Sequence, residues 1–172
     1  PNGTTIACDF TNNGLTSDSK RQIDTVTWNL GGTSAYNSAS NGLVSHWYSY
    51  ERSSNTFSGN ATVWTGKVGL IYPSDYGYAT SGGNSSSRSS CLKNALYTWS
   101  SNTSTSDCFN NNWIYESNLN QWTLTSRIDH DYYAIRVTSD GFVDSHYVSN
   151  HYGVRPTVYL KVKNLIVNGE GT

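Results

Sequence analysis

The sequence predicts a mixed α+β domain, rich in β-strand, in which antiparallel hairpins, one or two short helices and long loops enclose one core. Three observations carry that expectation. Short runs of β-branched and aromatic residues recur with alternation of period two, most densely in the final third. Clusters of Ser, Asn and Gly separate these runs as turn punctuation. Six Trp and thirteen Tyr supply the buriable area that the few aliphatic residues do not.

Taken in order, Leu15, Ile23 and Val26 permit one short helix between Leu15 and Trp28, with Thr16 or Ser17 as its N-cap. Thr25–Leu30 alternates well enough to be a strand instead, with Val26, Trp28 and Leu30 on one face. The boundary between the two stays open. Strands are expected at Trp47–Glu51, Thr62–Thr65 and Lys67–Tyr72. Pro73–Tyr78 stops the last of these in a turn or short helix, with Ser74 or Asp75 placed to cap it. Residues 80–90 read as a loop. Leu92, Ala95, Leu96 and Trp99 carry helical spacing and predict a second short helix over Cys91–Trp99. Strands follow at Trp113–Tyr115, Gln121–Thr125, Tyr132–Thr138, Phe142–Val148 and Val154–Val162. Tyr133, Ile135 and Val137 share one face of the third of these, and Val154, Val158, Leu160 and Val162 share one face of the last. Ser139-Asp140-Gly141 is a hairpin turn signal, and Pro156 marks an edge or a bulge.

The 172 residues suffice for a single domain, 1–172, with residues 1–24 as an N-terminal segment. A net charge of −1 supplies no electrostatic footprint for nucleic acid or an anionic membrane, and neither is expected as a partner. Only 13% of residues are charged, so Ser, Thr, Asn and Gly carry the solubility. No run reaches the length needed to cross a bilayer, and no signal peptide opens the chain; export would require that a leader had been removed. Cys8, Cys91 and Cys108 show no metal-ligand spacing. A Cys91–Cys108 disulfide would close a Ser/Asn-rich loop and stabilise by about 3 kcal/mol in the chain-entropy model. The alternative is three reduced, buried thiols. Cys8 is left over. Asn2, Asn60, Asn84 and Asn102 fit the N-glycosylation pattern and are expected to be bare in a bacterial source.

The run Trp64 to Tyr78 (W-T-G-K-V-G-L-I-Y-P-S-D-Y-G-Y) resembles a segment of bacterial pilin-like and pseudopilin-like surface proteins. The likeness extends to Trp47–Arg52, the Cys91…Cys108 loop, Asn112–Tyr115, Trp122–Thr125 and Gly153–Lys161, spanning roughly residues 25–163. The second half, with W-T-L-T, a D-G hairpin and G-V-R-P, is also similar to bacterial domains of C-type-lectin-like fold, related distantly to sulfatase-modifying factors. The resemblance implies a C-type-lectin-like head domain at the cell surface or on a pilus. It departs in one respect: the hydrophobic helix with a prepilin cleavage site that opens such chains is not found here, as though residues 1–24 were the remnant of a trimmed pilin helix region.

Candidate chemistry concentrates late in the chain. Asp129-His130-Asp131 suggests metal binding or acid–base work, but on an extended chain His130 turns away from the two carboxylates. The sulfatase-modifying factors are implied to use a close pair of cysteines late in the chain, and no such pair follows Cys108, so no enzyme is expected. No cofactor and no metal site is assigned, although calcium through Asp129, Asp131 or Asp144 stays open. Binding is the favoured reading. Asp129, His130, Asp131, Tyr132, Asp144, His146, Tyr147, Asn150, His151 and Tyr152 are expected to face outward as a ligand-binding surface, because Tyr offers rigid amphipathic area and Asn and Ser adaptable hydrogen bonds. The competing reading makes Tyr132, Tyr147 and Tyr152 core or sheet-face aromatics. The expected partner is a glycan or protein on another cell or surface, at an extracellular location. A structural filament subunit with filament neighbours is the alternative, and a hypervariable retroelement-diversified receptor or an enzyme similar to the sulfatase-modifying factors are weaker ones. Most Trp residues are expected in the core, with Trp113 left open, and Arg155 is expected in an ion pair or on backbone carbonyls.

Overall fold

In the computed structural model, which describes residues 14–100 and 105–161, the stretch after Gly14 holds both of its expected elements in succession. Helix α1 (Ser17–Gln22) is capped by Thr16, whose hydroxyl accepts the Ser19 N–H at 3.1 Å. Strand β1 (Val26–Asn29) follows, with Trp28 buried. Cys8, Asn2, Asn102 and Val162 lie outside the described residues.

Trp47–Glu51 is not a strand. It belongs to helix α2 (Val44–Glu51), which buries Val44, Trp47 and Glu51. The four-residue step from Trp47 to Glu51 satisfies both a two-residue period and about one helical turn, and Val44 decides for the helix. Strand β2 (Val63–Gly66) pairs antiparallel with β1, opposing Trp64 to Trp28, and β3 (Val68–Leu70) follows at once. Helix α3 (Pro73–Tyr78) has Tyr72 as its N-cap. Asp75 accepts the Tyr72 N–H at 2.9 Å, whereas the Ser74 hydroxyl is turned to Glu51.

The second predicted helix is displaced upstream into the expected 80–90 loop. Ser87 accepts the Ser90 N–H and starts α4 (Arg88–Cys91). The Leu96 N–H then donates to Gly42 O at 2.8 Å, away from the helical ladder, and only a 3₁₀ turn, Leu96–Thr98, remains. Ala95, Leu96 and Trp99 are nonetheless buried as their spacing implied. Helix α5 (Ser106–Asn110) was not foreseen; the Cys91–Cys108 disulfide ties it to α4. Trp113–Tyr115 is a turn, not a strand. Asn112 organises it, accepting the Ile114 N–H at 2.9 Å and donating to Tyr76 O at 2.6 Å, a local competitor to a sheet ladder.

A four-stranded sheet of order β6-β5-β4-β7 forms the second half: β4 (Gln121–Ser126), β5 (Tyr133–Val137), β6 (Val143–Tyr147) and β7 (Gly153–Val154). β4, β5 and β6 are antiparallel neighbours, and β7 joins β4 in parallel. The expected last strand is broken at Arg155. Its continuation, β8 (Pro156–Val158), leaves this sheet to pair antiparallel with β3. Val154 and Val158 therefore belong to different sheets and Leu160 only bridges Ile23, so the three do not share one face, and all are exposed. The fold is thus mixed α+β and strand-rich, with antiparallel pairing dominant and helices no longer than eight residues. Those helices number five among the described residues, more than the one or two expected.

The core lies between the helices and one face of the large sheet. Ile135, Val137 and Val143 meet Trp47, Tyr76 and Trp99 there. Of the six Trp, Trp28, Trp47 and Trp99 are buried, whereas Trp64 and Trp113 are exposed. Among the described residues no helix is long and apolar enough to cross a membrane.

Candidate recognition surface at the open end of the hairpin

Strands β5 and β6 form a hairpin whose Asp140-Gly141 turn is held against the core, and whose other end opens onto solvent. In their register Tyr133 opposes Tyr147 and Ala134 opposes His146. Successive side chains alternate across the sheet, so the late residues cannot form one surface. Two groups result.

The first occupies the open end. Tyr133 lies on the same face as the buried Ile135 and Val137 but beyond the core's edge, and its ring sits 4.5 Å from that of Tyr147. Tyr132 stacks on Tyr147 at 5.8 Å with only 12° between the planes, and His130 packs on Tyr132 at 5.3 Å. Tyr132 is 46% and Tyr147 48% exposed, so the platform is ordered by its own rings while half of it faces water. Behind it, the Arg127 guanidinium lies 5.3 Å from the Tyr133 ring and 5.4 Å from the Tyr36 ring, and it forks onto Asp129. Ser145 donates to the Tyr36 hydroxyl at 2.9 Å, anchoring the platform to a loop more than a hundred residues earlier.

The surface is rich in hydroxyls, and Arg127 and Asp129 within it are paired with each other. The hydrogen bond from Arg127 is the main cause that holds the Asp129 carboxyl below its usual range, so Asp129 is a charged partner of Arg127. Hydrogen bonding with Tyr147, then loss of solvent, pushes the Tyr133 hydroxyl up to about 12. Tyr133 therefore stays a protonated donor and acceptor across ordinary pH.

The second group lies on the sheet's other face. Arg136 forks onto Asp144 at 2.7 and 3.1 Å, and Tyr152 covers the pair, its ring 4.7 Å from the guanidinium and 4.8 Å from the Trp122 ring. His146 meets the edge of Tyr152 at 5.7 Å, and Asn150 reaches the His146 Nδ1 at 3.0 Å. Asp144, His146, Asn150 and Tyr152 thus form a half-buried seam that fastens the 148–152 loop to the strands. Asp131 and His151 are exposed on the loops outside both groups.

Of the expected site residues, Asp129, His130, Tyr132 and Tyr147 come together at the open end; the others do not join them. Arg127, Tyr133 and Tyr36 belong there too. Tyr133 was readable only as a strand residue, and nothing in the sequence couples Tyr36 to it. Asp129 and Asp144 are each engaged by an arginine, and among the described residues no three His, Cys, Asp or Glu side chains converge as a metal site would need. Arg155 makes neither an ion pair nor a backbone contact among the described residues; its Nε donates to the side-chain oxygen of the buried Gln121 at 3.1 Å. Compared with family models, curated proteins and solved structures, the chain matches none of them.

Proposed function

We propose that this chain is an extracellular recognition domain, a C-type-lectin-like head of a cell-surface or pilus-associated protein, that binds a glycan or protein of another surface through the tyrosine platform. The carrying observation is the mutual packing of the Tyr132, Tyr133 and Tyr147 rings, Tyr132 stacked on Tyr147, with Tyr132 and Tyr147 still half exposed. Rings held in place before binding lose little freedom on contact, and tyrosine couples a flat apolar face to a hydroxyl. Such a face suits the C–H side of a sugar ring or an interfacial hot spot. The disulfide agrees with an oxidising compartment. Within the two groups, Asp129 and Asp144 each face an arginine, and the Asn150 amide lies at the Nδ1 of His146. Binding, not turnover, is the activity assigned.

The test is a binding assay on immobilised glycans and intact cells with the Tyr132→Ala/Tyr147→Ala double variant. Binding should fall by at least roughly tenfold, as loss of two interface aromatics implies, while the melting temperature stays close to that of the parent. Equal binding by parent and variant, or no partner bound by the parent, would remove the reading.

A further inference from the structure

A concave site elsewhere in the fold shares no residue with the hairpin platform. Helix α3, the 112–115 turn and strand β8 enclose a cleft of about 540 Å³, within the range of roughly 300–1,000 Å³ common for small-molecule sites. Ile71, Ala79 and Ile114, all buried, contribute apolar lining. Three aromatic residues of the lining remain open to solvent: Trp113 at 77%, Tyr159 at 50% and Tyr78 at 41% exposure. An indole this exposed contributes little to the core and leaves apolar area that a ligand in the cleft would cover.

The polar complement of the cleft is specific. Arg155 is its one basic lining residue. Its Nε is held by Gln121, and among the described residues neither terminal nitrogen has a hydrogen-bond acceptor and no carboxylate pairs with it. A guanidinium fixed through Nε presents a planar pair of donors suited to a bidentate carboxylate. Asp75, the acidic lining residue, already accepts the Tyr72 N–H, leaving acceptor capacity for a hydroxyl. Thr157 adds a hydroxyl to the lining.

We propose that this cleft binds an acidic sugar, a pyranose carrying a carboxylate, with the carboxylate on Arg155, the ring face against Trp113 and the ring hydroxyls toward Asp75 and Thr157. The combination argues for a sugar over a purely apolar acid. Aromatic faces meet a pyranose's C–H face, and the hydroxyl and carboxylate groups of the lining need a ligand that carries hydroxyls as well as charge. Arg155 supplies the selection for acid over neutral sugar. Gln121 acts as a positioning residue by holding the guanidinium in the cleft.

Isothermal titration of the full chain with an oligouronate, the matching neutral oligosaccharide and benzoate tests the assignment. The oligouronate should bind at least roughly tenfold more tightly than either other probe, the scale of one charge-assisted bidentate contact. Arg155→Gln should erase the preference for acid over neutral sugar, and Arg155→Lys should restore part of it. Trp113→Ala should abolish binding of both sugars without lowering the melting temperature, since that side chain is largely outside the core. Arg155→Gln should erase the acid preference in the Tyr132→Ala/Tyr147→Ala background as it does in the parent, which separates the cleft from the hairpin platform. Absence of oligouronate binding, benzoate binding equal to it, or an Arg155→Gln variant with unaltered acid preference would each overturn the proposal.

Discussion

Glu51 is completely buried, yet it sits beside helix α3 with two donors aimed at it: the Ser74 N–H at 2.8 Å and the Ser74 hydroxyl. Arg52 reaches one of its oxygens at 3.2 Å. Burial outweighs these bonds and pushes the carboxyl from its ordinary 4.5 up to about 8. A raised carboxyl binds its proton more tightly in the folded than in the unfolded chain, so its contribution is fully present below pH 4.5 and is lost as pH rises through about 8. Each unit of the difference corresponds to about 1.4 kcal/mol, so the loss amounts to a few kcal/mol. Urea titrations across that window should show stability falling with pH, and Glu51→Gln, which keeps an acceptor for the Ser74 N–H, should flatten the curve and unfold at higher urea than the parent in alkali. The same pH dependence in the variant would assign the effect elsewhere. Tyr152 differs in kind from Tyr132 and Tyr147. It packs on Trp122 and covers the Arg136–Asp144 pair, so Tyr152→Ala should cost about 1–3 kcal/mol in chemical denaturation, whereas Tyr132→Ala should cost less because half its surface is already wet.

At the level of elements, short helices are held by their junctions rather than by length, since four to eight residues cannot sustain a helix alone. The disulfide is one such junction. It joins residues 17 positions apart, tying α4 to α5, and its loss in a Cys91→Ser/Cys108→Ser variant should cost about 3 kcal/mol by urea titration. The hairpin turn is another. Gly141 has φ +87°, and a Cβ there would lie 2.4 Å from Phe109 Cγ. Tyr76 also donates to Gly141 O at 2.7 Å, fastening α3 to the turn. Gly141→Ala should therefore lower stability by about 2–4 kcal/mol in thermal or urea melts, combining a left-handed backbone with overpacking; a neutral effect would mean that the turn adjusts freely. These contacts explain which expectations held. The Asp-Gly turn and strands β4, β5 and β6 were legible because alternation and turn chemistry act over a few residues. The strand expected at Trp113–Tyr115 was displaced by the side-chain bonds of Asn112, one of which runs to Tyr76 in another element.

Across the molecule, one cluster of buried residues joins α2, α3, the disulfide and the large sheet. Unfolding should accordingly be a single cooperative transition, with tryptophan fluorescence and far-ultraviolet circular dichroism melting together; separated midpoints would divide the molecule into independent parts. Within this frame the sequence determined that strands would dominate the final third and that tyrosine and polar side chains would gather between residues 129 and 152, whereas of the Trp residues, most of which were expected inside, only Trp28, Trp47 and Trp99 are buried. Those properties follow from local periodicity and from the size of the aromatic side chains. Only the tertiary structure divided that tyrosine-rich stretch into an open platform and a half-buried seam, because the assignment depends on register and on how far the core extends along the hairpin. It alone brought Tyr36 to Ser145, and Arg155 into a cleft with Trp113. Contacts between residues distant in sequence arise from packing of the whole chain, and no local pattern encodes them.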